Sequence, residues 1–139
     1  MEKVKRYQQI IKSIIEAYIA TDKPKPEEEI YLVADDIKMH YLLYHNAWQH
    51  DSRDYGCILH IRIKNEKIYV EYDGTDVGFG DAFAEQGVPK KDIVLAFHAP
   101  TKRPYTGFAV AWENFVPLSI KAKKAASLAK LLIFWLNFD

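Results

Sequence analysis

Cysteine occurs once in this chain, at Cys57, so an internal disulfide is excluded and no thiolate pair is on hand for a structural zinc site. An excess of charge of one sign is missing too. The 19 basic and 19 acidic side chains cancel over 139 residues, which argues against a chain that coats DNA by phosphate neutralisation, while a local basic patch stays open. Long apolar runs are short of what a bilayer requires: residues 131–136 form an uninterrupted run, against about 20 residues for a membrane span. There is no Gly-x-Ser-x-Gly elbow and no phosphate loop, and Gly74, Gly78 and Gly80 do not open the strand-turn-helix of a dinucleotide site. Internal repeats and low-complexity tracts are lacking. The amino terminus is a charged amphipathic segment rather than a signal peptide, so a cytoplasmic protein is expected.

What is present is apolar and aromatic: 49% hydrophobic residues, with nine tyrosines and three tryptophans. A chain of this length closes one hydrophobic core without metals or disulfides. Over residues 4–20, Tyr7, Ile10, Ile11, Ile14, Ile15, Tyr18 and Ile19 recur at steps of three and four, which predicts a helix with one buried stripe. Pro24 and Pro26 end it. Residues 30–35 and 40–48 read as strands around a polar turn at Asp35-Asp36-Ile37-Lys38, and residues 55–64 and 67–73 as a hairpin turning at Asn65-Glu66.

That two-residue turn sets Lys64 against Lys67, Arg62 against Tyr69 and His60 against Glu71. It puts Cys57, Leu59, Ile61 and Ile63 on the core face with Ile68, Val70 and Tyr72, and Ile58, His60 and Arg62 on the other with Tyr69, Glu71 and Asp73. The expected fold class is α+β: an N-terminal amphipathic helix packed on a mainly antiparallel sheet. A short helix over residues 79–86, with Asp76 or Asp81 near its start and Gly87 as its stop, precedes a buried strand at 93–98. An ordered loop at 99–107 then leads to a last strand around 108–112. Leu128, Leu131, Leu132, Trp135 and Leu136 predict an extra C-terminal amphipathic helix within residues 119–138.

Chemistry-bearing side chains are scattered. The histidines His40, His45, His50, His60 and His98 have no metal-site spacing, so no metal and no cofactor are expected. If Trp48 pairs with Tyr55, His45 becomes a diagonal neighbour of His60; a slip of one residue separates them. His60 opposite Glu71 resembles an oriented base, yet Cys57 lies on the other face and no triad forms, so no catalytic residue is assigned. Lys102, Arg103 and Tyr105 sit in a loop stiffened by prolines, suited to phosphate or an acidic partner. Exposed strands carrying Tyr41, Tyr69 and Trp48 suggest self-association as a dimer.

A final pattern is collective. The ordered set Gly87-Val88-Pro89, Asp92 through His98 and Arg103-Pro104-Tyr105-Thr106-Gly107-Phe108-Ala109-Val110, with Tyr55-Gly56-Cys57-Ile58-Leu59-His60 and Asp73-Gly74-Thr75 upstream, resembles the XisI family of fdxN element excision controlling factors of cyanobacteria. The resemblance implies an α+β domain over residues 1–111, leaving residues 112–139 as a C-terminal extension with no inherited meaning. It implies a non-enzymatic role in controlling excision of a DNA element during heterocyst differentiation, with an XisH-like protein or an XisF-type recombinase as partner. The alternative is a small ligand-binding domain or enzyme using His60, Glu71 and His98 beside Arg103. Direct DNA binding is a third reading, and it requires a contiguous basic face.

Overall fold

The structure, a computed structural model, describes residues 2–21 and 25–110. Helix α1 spans Glu2–Thr21 and buries Tyr7, Ile11 and Ile15 completely or nearly so, the stripe that the helical period dictates. It lies on a five-stranded sheet in simple sequential order: β1 Glu28–Asp35, β2 His40–Gln49, β3 Ser52–Lys64, β4 Lys67–Asp73 and β5 Ile93–Leu95. The first four strands are antiparallel, and β5 runs parallel to β4. Reaching a parallel neighbour needs a crossover, which the short helix α2, Phe79–Glu85, supplies. Tyr41, Leu43, Leu59, Ile61, Ile68, Val70 and Ile93 meet α1 together with Phe79 and Phe83 of α2 in one core.

The turns explain the register. Asn65 and Glu66 both take positive φ, 52° and 61°, the backbone of a two-residue hairpin turn whose twist matches the flanking strands. Lys64 therefore pairs with Lys67 and Arg62 with Tyr69, as expected. Between β1 and β2, Asp35 Oδ1 accepts the amides of Ile37 and Lys38, each at 3.0 Å.

Two bulges then depart from the simple alternation. In β4, Ile61 pairs with Val70 but His60 pairs with Tyr72, so Glu71 is the extra residue and does not face His60. The bulge turns Tyr72 out to 51% exposure and swings Asp73 towards α2, where its carboxylate accepts the amides of Thr75 (2.9 Å) and Phe79 (3.0 Å). That bond to Phe79 takes the place expected of Asp76 or Asp81, since the residue capping α2 is Gly78, at φ 74°, with no side-chain bond. In β3, Leu43 pairs with Leu59 but Tyr44 with Cys57, making Ile58 the extra residue. Ile58 packs against the core, and Cys57 leaves the core face assigned to it by alternation.

Other expectations are corrected at the same level. Trp48 pairs with Arg53 rather than Tyr55, and His45 falls on the helix side, away from His60. Tyr41 and Tyr69 are buried, at 0% and 4% exposure, whereas Trp48 is exposed at 49%. β5 stops at Leu95, and residues 108–110 form no strand, although the Ala109 amide donates to the Ile93 carbonyl at 2.8 Å. The expected helix within 119–138 lies outside the described residues. Among the described residues, no helix is long and apolar enough to cross a membrane.

One tie between elements had no signal in the sequence. Asp92, only 5% exposed, accepts the Tyr7 hydroxyl at 2.5 Å and the Lys3 ammonium at 2.9 Å, pinning the start of α1 to the turn before β5. Burial alone raises a carboxyl pKa, but the bonds from Tyr7 and Lys3 win and hold Asp92 below its ordinary value. Burial and the same bond push the Tyr7 hydroxyl up to about 12.

Candidate binding surface

Because α1 and α2 take the inner face of the sheet, the outer face is where polar and aromatic side chains gather. The strand registers arrange them in rows. Tyr31, Tyr44 and Cys57 form one; Val33, Leu42, His60 and Tyr72 the next; Asp35, His40, Arg62, Tyr69 and Val94 a third. The Tyr31 and Tyr44 rings stack at 5.9 Å and 11°, and Tyr55 continues the series 5.9 Å from Tyr44. The Arg53 guanidinium lies 4.4 Å from the Tyr55 ring centre and 5.6 Å from that of Trp48, a cation held over two aromatic faces. Val33, Trp48 and Tyr55 are exposed at 43%, 49% and 53%, so this part of the outer face is rich in aromatic and apolar surface, with Glu29, Asn46 and Arg53 set among it.

At the opposite end the chemistry is ionisable. His40 Nδ1 and His60 Nε2 approach to 3.0 Å, a bond in which one ring donates and the other accepts. Burial, and then the neighbouring His40, lower the His60 pKa below its ordinary value against the opposing pull of Glu71. Glu71 itself binds Arg62, Oε1 to Nε at 3.2 Å. The lowered value keeps His60 a neutral imidazole at pH 7, able to accept or donate a hydrogen bond.

The loop candidates separate into anchored and free residues. Arg103 is spent on the fold: its Nε donates to the His98 carbonyl (3.1 Å), Nη1 to Val110 (3.4 Å) and Nη2 to Ala96 (3.3 Å). It staples the loop closed instead of facing a ligand. Lys102 and Tyr105 are exposed, Tyr105 at 90%, and His98 is half-buried with its ring 4.5 Å from that of Phe97. The structure thus brings His60 to His40 rather than to Glu71, and places Lys102 and Tyr105 on a rigid loop beyond β5. Of the aromatic series only Trp48 was anticipated; Tyr31, Tyr44 and Tyr55 come from three strands, and the β2–β3 turn falls at His50-Asp51, which pairs Tyr55 with Asn46 instead of Trp48. Among the described residues, no group of three or more histidine, cysteine, aspartate or glutamate side chains is set to hold a metal ion.

The same fold occurs in known proteins. The sequence model of a family described as XisI protein matches residues 1–110. A solved XisI-like protein from Anabaena variabilis ATCC 29413 is 34% identical, with 78% of this chain and 99% of that one covered and a TM-score of 0.73. A second structure from that organism, fdxN element excision controlling factor XisI, gives 34% identity, the same coverage of 78% and 99%, and a TM-score of 0.69. No curated protein matches the chain.

Proposed function

The chain belongs to the XisI family, and from that premise we propose that it is an accessory factor controlling excision of a DNA element of the fdxN type, acting through protein contact rather than chemistry of its own. A solved relative at 34% identity bears the name of such a factor, which supports the role. The observation that carries the mechanism is the outer face of the sheet, where Tyr31, Tyr44, Tyr55 and Trp48 present aromatic surface of the kind enriched at protein interfaces. An XisH-like protein or an XisF-type recombinase is the partner, in the cytoplasm of a cell that differentiates heterocysts. Lys102 and Tyr105 of the stapled loop, with His60, His98 and the Arg62–Glu71 pair, supply the polar contacts. A dimer formed through the aromatic end is part of the same reading, and residues 112–139 are an extension to a working unit of residues 1–111.

The ligand-binding alternative at His60, Glu71, His98 and Arg103 has less support, because Glu71 is engaged by Arg62 and Arg103 by three carbonyls. A tagged copy used as bait in lysate of its native host is expected to enrich an XisH-like protein or the recombinase over a control bait. Enrichment of neither, where the control succeeds with its own partner, contradicts the proposal.

A further inference from the structure

The two edges of the sheet are treated differently. Beyond β5, the Ala109 amide bonds the Ile93 carbonyl, so that edge is occupied. β1 is the other edge strand. The Trp48 amide donates to the Glu27 carbonyl at 3.2 Å, which marks this facing pair as hydrogen-bonded. Antiparallel pairs alternate. Odd-numbered residues of β1 therefore turn their backbone groups to β2, while Ile30, Leu32 and Ala34 turn theirs away from the sheet. Among the described residues, no strand continues the ladder there.

The side chains of β1 say what could. Ile30 and Leu32 lie half-buried against the core, whereas Glu29, Tyr31, Val33 and Asp35 point to the outer face. In the two registers that pair most of β1 with itself, self-pairing is opposed by charge. An antiparallel copy centred on Tyr31 sets Glu27 against Asp35, and one centred on Leu32 sets Glu29 against Asp35 and Glu28 against Asp36. Lys12 neutralises only Asp36, at 2.7 Å. A strand that alternates apolar residues with cations meets both faces: apolar side chains extend the core beside Ile30 and Leu32, and cations lie beside Glu29, Asp35 and the Tyr31 ring.

We propose that the free edge of β1 accepts an extended segment of a partner protein as a sixth strand, and that this segment alternates apolar residues with lysine or arginine. The inference rests on the protein-contact reading above and names the chemistry of the partner. The probe is a fluorescein-labelled eight-residue peptide alternating valine and lysine, titrated against the full chain by anisotropy. Saturable binding is expected. Glutamate in place of lysine in the peptide, or Glu29→Lys in the protein, is expected to weaken it about tenfold, and the two changes together to restore part of the loss. N-methylating the peptide amides on the edge facing β1 abolishes binding, whereas methylating the alternate set leaves it within about twofold, since only one edge joins the ladder. Amide exchange at Ile30, Leu32 and Ala34 slows on binding. Binding indifferent to both methylation patterns, no binding at all, or protection of these amides by self-association in the absence of peptide overturns the inference. Partner capture from lysate that succeeds while the peptide fails removes this inference alone and leaves the controlling-factor role standing.

Discussion

Replacing Asp92 by alanine removes the buried carboxylate that ties α1 to the turn before β5, and its effect can be worked out from three contacts. The Tyr7 hydroxyl bond, at 2.5 Å to a carboxylate with 5% exposure, is charge-assisted and contributes about 1.5–3 kcal/mol. Asp92→Ala also strands a hydroxyl on a tyrosine that is 1% exposed, adding about 1 kcal/mol or more. Lys3, whose side chain is 43% exposed, returns to water, so its 2.9 Å pair adds well under about 1 kcal/mol. The sum is about 3 kcal/mol, equivalent to a fall in Tm of roughly 10 °C for a domain of this size. Tyr7→Phe leaves Asp92 with Lys3 and loses about 1.5–2 kcal/mol. The double variant no longer strands the hydroxyl, so it is less destabilised than the two losses added, by about 1–2 kcal/mol. Urea unfolding of the four proteins, followed by tryptophan fluorescence and by circular dichroism, closes the cycle. A loss below about 1 kcal/mol for Asp92→Ala, or strict additivity in the double variant, refutes the claim that this buried pair joins the two elements.

Three further outcomes are expected. Glu66→Gly relieves a non-glycine residue at φ 61° in the hairpin turn and raises stability by about 1 kcal/mol, read as a shift in urea midpoint at constant m-value. Arg103→Lys unstaples the loop as fully as Arg103→Ala does, because one ammonium cannot reach three carbonyls; limited proteolysis after Lys102 then accelerates in both while the core melts within a few degrees of the parent. Acid stability falls in two steps. The lowered His60 pKa means the unfolded chain binds that proton first, so stability declines as pH drops below 6.5; the lowered Asp92 and Asp36 values begin a second decline below about pH 3.8. Thermal melts from pH 8 to pH 3 follow both steps, and His60→Asn removes only the first.

Much of the fold was legible because it follows from period and turn chemistry. The stripe from Tyr7 to Ile19 needed a sheet to lie on, and Asn65-Glu66 set the hairpin register at the turn end. Register failed where a strand carries an extra residue. Nothing in His60-Ile61 or Val70-Glu71 marks a bulge, and the bond it accompanies, from the Phe79 amide to Asp73, joins the hairpin to a residue beyond it in the chain. The candidate site suffered from the same cause: one inserted residue at Ile58 and another at Glu71 separated His60 from Glu71 and brought His40 to it instead. Arg103 was legible as a loop cation but not as a staple, since its three acceptors are backbone carbonyls that every sequence carries. The family pattern in residues 87–110 was legible as a whole, and the solved relatives place it on the same fold.

The proposed control of excision acts through contacts made by the outer sheet face. Its most direct test is the frequency of excision junctions, measured by quantitative amplification in host cells that carry an excisable element of the fdxN type. Excision is expected to change when the chain is deleted, to return with the wild-type chain, and to stay defective with a Tyr31→Glu, Tyr55→Glu variant whose melting curve matches the parent. Equal junction frequency with and without the chain, or full restoration by the variant, would contradict the account.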